Sequence, residues 1–385
     1  MIDHQLYRGR EQTFVKHVFL NLYLEKVALI TLSSQRGWKE FAYVDAFSGP
    51  WRASSERFED TSVSIALTQL ARVQRKLQEL NRTCELRALF VEKDATAFRN
   101  LQRILLTESP VRAQSLNGDF MNYVGEAAAF IGDNAFSLTF IDPTGWSIDL
   151  QALAPLLRKR GEVLVNFMYN DINRHLENPL AQAGLDAFFG GPGWLNEIWA
   201  LIDQGRTRED ALLGAYANRL KAIGRFPFVT YTRIKWPDQE RTYFYLVYAT
   251  RHWRGLDAFR DVEERAVDIQ EQVRLEAWLK RRETRTGSGD LFGAETESSG
   301  LADLRSRSRI MIEEASRRIV RMLETSASFP VSSAYEQALE LPLVTVTDVH
   351  DVLKQAVMRK QAAWAIDPGR RKPKPTDMLR SLMFR

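Results

Sequence analysis

Short apolar runs alternate with helical stretches from residue 13 to residue 249, and that alternation limits what the chain can fold into more than any single motif does. Residues 41–45, 86–92, 137–142 and 162–168 are rich in apolar, β-branched and aromatic residues and stop at loops, as buried strands do. Residues 13–32, 62–80, 95–107 and 150–160 instead space their apolar side chains three and four apart, as one face of a helix requires. Strands alternating with helices are joined by right-handed crossovers, so the expected fold is α/β with a doubly wound, mostly parallel sheet. Residues 228–234 and 242–249 flank a turn at 237–240, so the sheet is expected to close with an antiparallel hairpin and an antiparallel last strand.

At 385 residues the chain exceeds the usual length of one compact domain. Residues 1–282 are expected to form the α/β domain. Within it, 175–224 is an inserted helical subdomain, too long for one crossover helix and interrupted by Gly190, Gly191, Pro192 and Gly193. Residues 283–308 exchange apolar periodicity for Gly, Ser, Thr and charge and read as a linker. Residues 309–385 are expected to form a small helical module. Amphipathic helices at 310–323 and 347–359, the second with Thr347 as N-cap, and a strand at 362–366 would give it the shape of a winged helix.

A net charge of +4 permits a DNA or RNA partner without demanding one. The basic tail residues Arg370, Arg371, Lys372, Lys374, Arg380 and Arg385 fit either a phosphate-contacting wing or a solubilising tail. One cysteine, Cys84, and five scattered histidines give neither a disulfide nor a zinc cluster, so no metal is expected and the compartment expected is a reducing, cytoplasmic one. No run approaches the ~20 apolar residues of a membrane span.

Four loops carry the chemistry. The first strand runs into Asp45, Ala46, Phe47, Ser48, Gly49 and Pro50; at the carboxyl edge of a parallel sheet this loop faces the ligand crevice, and Gly49 admits a close backbone approach. A pyrophosphate-binding dinucleotide loop needs three glycines, so a single glycine beside an acid points away from NAD and towards a phosphate-free nucleoside such as S-adenosylmethionine. Glu92, ending the second strand, is suited to accept from both ribose hydroxyls, and Asp119 beside Phe120, after the expected third strand, is suited to an adenine amino group and its ring. Each position also has a structural reading, as a strand exit, a solvated strand end or a turn.

The fourth loop, Asp142, Pro143, Thr144, Gly145 and Trp146, carries the candidate catalytic residues Asp142, Pro143 and Trp146. Pro143 ends the strand, and Trp146 supplies a flat apolar face for a planar substrate. In exocyclic-amine methyltransferases the comparable loop accepts from the target amino group through an Asp or Asn, and an aromatic stacks on the extruded base. Asp-Pro also begins ordinary turns. On the first helix, Lys16 and His17 read as the solvated edge of a buried stripe.

Taken together, Lys16–His17, Tyr23–Leu24, the segments 43–50 and 62–67, Phe90–Glu92, Gly118–Asp119, the segments 140–145 and 165–168 and Asn173–Arg174 resemble the three-Cys-motif partner family (TcmP). The resemblance implies a class I S-adenosylmethionine-dependent methyltransferase-like protein whose partner is a three-cysteine, iron-sulfur, radical-enzyme-like protein encoded nearby. The sequence departs from the pattern at Thr144, where an aromatic is commoner, and at Thr61, where a glycine is expected. Three functions therefore stand side by side: a methyltransferase acting on an exocyclic amine of a nucleic-acid base, a catalytically degenerate cofactor-binding partner of the cysteine protein, and a DNA-binding regulator working through the C-terminal module.

Overall fold

The computed structural model describes residues 2–49, 58–106, 111–286, 293–365 and 372–384, and divides into two compact units, Met1–Arg251 and His252–Arg385.

In the first unit the elements run α1 (Glu11–Leu32), β1 (Glu40–Asp45), α2 (Ser62–Glu79), β2 (Glu85–Glu92), α3 (Ala95–Leu105) and β3 (Arg112–Asn117). They continue through α4 (Val124–Ile131), β4 (Phe136–Ile141), α5 (Ala154–Leu157) and β5 (Gly161–Phe167). The helices α6 (Tyr169–His175), α7 (Gln182–Phe188), α8 (Trp194–Asp203) and α9 (Arg208–Gly224) follow, and the hairpin β6 (Phe228–Lys235) and β7 (Thr242–Thr250) closes the unit. The seven strands are ordered β3-β2-β1-β4-β5-β7-β6; β1 to β5 are parallel, and β7 is antiparallel to both its neighbours. This is the doubly wound, class I methyltransferase-like α/β sheet that the alternating pattern predicts, with the inserted helices between β5 and β6.

The topology also leaves a crevice at one edge of the sheet. The chain winds outward from β1 to β3 and then returns to place β4 on the other side of β1. The strand order reverses there, and loops leaving the carboxyl ends of β1 and β4 diverge and leave a crevice. Central strands are buried along nearly their whole length, which explains their continuous apolar runs. At the sheet edge β3 is half-exposed and polar, so the sequence marks its end through Gly118 more clearly than its course.

Local chemistry sets the helix starts. Thr61 accepts from Ser64 N at 3.3 Å and caps α2. Asp94 caps α3, accepting from Thr96 N at 3.0 Å and Ala97 N at 2.7 Å. The helix expected over 150–160 is only the single turn α5.

The second unit contains α10 (Trp253–Thr286), α11 (Gly293–Thr325), β8 (Ser328–Pro330), α12 (Val331–Ala338), α13 (Val346–Met358), β9 (Ala362–Ala365) and β10 (Met378–Ser381). Its three strands form an antiparallel sheet ordered β8-β10-β9. The division falls at 251/252 rather than 282, because α10 belongs to this unit. The linker expected over 283–308 is helical apart from 287–292, which lie outside the described residues, as do Arg370, Arg371 and Arg385 of the basic tail. Thr345, not Thr347, caps α13, in a capping box with Asp348.

Candidate functional site

A hollow of about 650 Å³ opens at the carboxyl edge of the sheet. Four successive strands of the sheet contribute to it: Phe47 and Gly49 after β1, Glu92 to Asp94 at the end of β2, Gly118 to Phe120 after β3, and Asp142, Thr144 and Ser147 after β4. Backbone hydrogen bonds stitch the rims together, Ser48 N to Val91 O and Gly118 N to Glu92 O, each at 2.9 Å.

Of the residues expected to hold a cofactor, Phe47, Gly49, Glu92, Asp119 and Phe120 line this hollow. Glu92 is only 7% exposed, and its Oε1 accepts from Asp94 N at 2.7 Å. Asp119 accepts from Lys93 Nζ at 2.8 Å and Met121 N at 3.1 Å; the Lys93 ammonium first, and then that N–H, hold its carboxyl below the usual range. Phe120 is buried against Phe47, the ring centroids 5.9 Å apart. Gly49 has φ +98°, and among the described residues no atom lies within 4 Å of where a Cβ would stand.

Four of the expected site residues lie outside the lining. Asp45 does not line the hollow: it is fully buried and accepts from Phe47 N at 3.3 Å and the Tyr43 hydroxyl at 3.5 Å, so its carboxylate braces the loop from within. Burial pushes its pKa up to about 7; Asp142 adds to the rise, while the Ser62 hydroxyl, Phe47 N–H and Lys16 oppose it. Ser48 is likewise buried and spends its N–H on the neighbouring strand. Trp146 turns away from the hollow to lie 5.3 Å from the His175 ring, where a Cβ on Gly184 would fall 2.7 Å from its Nε1. The helical insertion, absent from the simple strand-loop argument, has taken that indole as packing surface. Pro143 is buried outside the lining, and Pro50 lies outside the described residues.

Asp142 does line the hollow, and both its oxygens are engaged. Lys16 Nζ pairs with Oδ2, and Asn166 Nδ2 donates to Oδ1 at 2.5 Å. The side chains of Lys16 and Asp142 are 12% and 18% exposed, so this is a largely desolvated pair. Lys16 also stands 5.9 Å from the centroid of the Phe244 ring. Asn166 Oδ1 is buried without a hydrogen-bond partner among the described residues. Lys16 and His17 are therefore not a solvated edge. His17 is buried, its Nδ1 2.9 Å from the Tyr7 hydroxyl, and burial, then Lys16 and Arg10, lower its pKa well below the usual imidazole value. The signal for this was present in the sequence: Leu20, Tyr23 and Leu24 share the pair's own side of the helix, while Phe14, Val15, Val18 and Phe19 cover the other, so no wholly polar face is left for it to occupy.

Among the described residues no group of three or more His, Cys, Asp or Glu is arranged to hold a metal ion, and no helix is long and apolar enough to cross a membrane.

No family model matches the chain, and no curated protein matches it. Among solved structures, loganic acid methyltransferase with SAH is similar over 78% of this chain and 89% of that chain, with a TM-score of 0.32 and 10% sequence identity.

Proposed function

We propose that the chain binds S-adenosylmethionine in the hollow at the strand ends, with Glu92 accepting from the ribose hydroxyls. One observation carries this reading: loops from β1, β2, β3 and β4 converge on a single hollow of about 650 Å³, inside the range of small-molecule sites, with a buried carboxylate at the end of β2. The residues suit a nucleoside without phosphates. Phe47 and Phe120 offer an apolar wall, Asp119 an acceptor for an amino group, and Gly49 a backbone with no side chain. When bound, the cofactor supplies an electrophilic methyl group on a sulfonium cation. Calorimetric titration with S-adenosylhomocysteine tests the reading: binding is expected, and Glu92→Ala is expected to weaken it by at least about tenfold, the equivalent of ~1.4 kcal/mol. Absence of binding to the unaltered protein would sink it.

The methyl acceptor proposed is an exocyclic amine of a nucleic-acid base, oriented by Asp142. For that role the amine has to share the carboxylate with Lys16 and Asn166, each of which occupies one of its oxygens, or displace one of them. Incubation with labelled cofactor and mixed DNA and RNA should give label incorporation that Asp142→Ala abolishes. The engagement of Asp142 favours a second reading, in which the chain is a cofactor-binding partner of an iron-sulfur protein with three close cysteines. Co-purification with that neighbour is then expected, together with no methyl transfer to any nucleic acid.

A further inference from the structure

The hollow distributes its charges unevenly. At the β2 and β3 end, Asp119 is matched by Lys93 at 2.8 Å, while Glu92 receives a backbone N–H at 2.7 Å. Beyond β1, the carboxylate on the lining is Asp142, and Lys16 cancels it from α1. Adjacent strands lie ~4.8 Å apart, so β2 and β4, on either side of β1, are separated by roughly 10 Å. A nucleoside anchored at Glu92 leaves the remainder of the ligand directed towards β1 and β4, where Asp142 stands.

We infer that the Lys16–Asp142 ion pair determines how the hollow discriminates between the cationic methyl donor and its neutral thioether product. This rests on the cofactor reading above. S-Adenosylmethionine and S-adenosylhomocysteine differ by one methyl group and one positive charge, so the field at the β4 end separates their affinities. With Lys16 in position the carboxylate is compensated and the field is weak. Without Lys16, a partly desolvated anion faces the sulfonium and favours the cation. Without Asp142, the ammonium is uncompensated and disfavours it. Tyr43 and Asp45 complete the surroundings of the pair. Asp45, raised to about 7 chiefly by burial, adds to the same field and is itself coupled to Asp142 and Lys16, so the ligands are compared at pH ~5, where it stays protonated.

The experiment is titration of the full chain with each of the two ligands, read as the ratio of their dissociation constants, so no methyl acceptor is needed. Relative to the unaltered protein, Lys16→Met is expected to shift the ratio about tenfold towards S-adenosylmethionine, most of the direct interaction being screened by solvent and salt. Asp142→Asn is expected to shift it the other way, and Lys16→Met combined with Asp142→Asn to return it to the starting ratio. The double variant leaves no unpaired charge buried, so if Lys16→Met alone fails to fold, its comparison with Asp142→Asn still isolates the effect of Lys16. Ratios that stay within twofold across the folded variants, with both ligands bound, would overturn the inference while leaving the cofactor reading intact. Failure of the unaltered protein to bind either ligand would remove both.

Discussion

The hydroxyl of Tyr23, on α1, donates to Glu162 Oε2 at 2.6 Å, joining the first helix to the start of β5. Tyr23 also lies 2.6 Å from the Tyr248 hydroxyl, and Thr250 Oγ1 donates to the other carboxylate oxygen at 3.0 Å. Glu162 is buried, which pushes its pKa up, while the surrounding hydroxyl donors hold it down. Tyr23→Phe removes a donor from this buried carboxylate with almost no change of shape, so a stability loss of ~1–3 kcal/mol is expected in urea unfolding. An unchanged midpoint and slope would mean that the hydroxyl contributes nothing to docking the helix. That docking matters for the site, because the same helix carries Lys16 to Asp142.

Asp45 predicts a pH dependence. Its folded pKa, about 7, lies above the ordinary carboxylate value, so the folded protein holds this proton more tightly than the unfolded chain does. The resulting stabilisation is complete below pH ~4 and is lost progressively as the pH rises to about 7, by a few kcal/mol at most. Asp45→Asn cannot ionise and should flatten that part of the profile. Urea unfolding at pH 5 and pH 8 measures it: the Asn variant is expected to gain on the unaltered protein between the two, and parallel profiles would refute the assignment.

Two glycines of the hollow should respond differently to alanine. At Gly49, φ is +98° but no described residue comes within 4 Å of an added Cβ, so Gly49→Ala is expected to cost about 1 kcal/mol through backbone strain. Gly118 has φ +150°, and a Cβ there would meet Tyr123 Cε2 at 2.9 Å. The Tyr123 hydroxyl donates to Asn117 O at 2.9 Å, so the ring is not free to yield. Gly118→Ala is therefore expected to destabilise more than Gly49→Ala and also to weaken nucleoside binding, because Asp119 is the next residue. Thermal melts and ligand titration of both variants would show the order; a larger loss at Gly49 would contradict it.

The sheet was legible because its code is local. Buried strands such as β1, β4 and β5 are apolar along their length, and Gly49, Asp94, Gly118 and Pro143 follow β1, β2, β3 and β4 with turn and capping chemistry that needs no knowledge of the rest of the chain. What escaped depends on pairing across long separations. Lys16 and Asp142 are 126 positions apart, and neither residue type by itself says that the other is its partner. Trp146 was read as facing the crevice because an aromatic after such a strand suits a planar ligand, but the position of His175 and the absence of a side chain at Gly184 gave the indole another surface. In the second unit, glycine and serine around 287–300 suggested a linker, whereas α11 begins at Gly293. Low propensity residues at a helix end are a weak argument against a helix of 33 residues whose later turns bury Ala315, Ile319 and Leu323.

The second unit has a keystone of its own in Arg260, 1% exposed on α10. Its guanidinium donates to Glu263 Oε2 at 2.5 Å, to Leu339 O at 3.0 Å and to Glu340 O at 3.1 Å, and Glu263 Oε2 also accepts from Leu343 N at 3.1 Å. One buried ion pair thus satisfies backbone groups at the end of α12 and in the connection to α13, where Leu343 has φ +62°. Arg260→Met leaves the Glu263 carboxylate buried without this cation and removes the guanidinium's bonds to the Leu339 and Glu340 carbonyls, and is expected to cost ~3–5 kcal/mol. Adding Glu263→Gln removes the orphaned charge, so the double variant should be more stable than Arg260→Met alone. Denaturant unfolding of the three proteins decides this: equal losses in the single and double variants would show that the carbonyl contacts, rather than the ion pair, hold the connection.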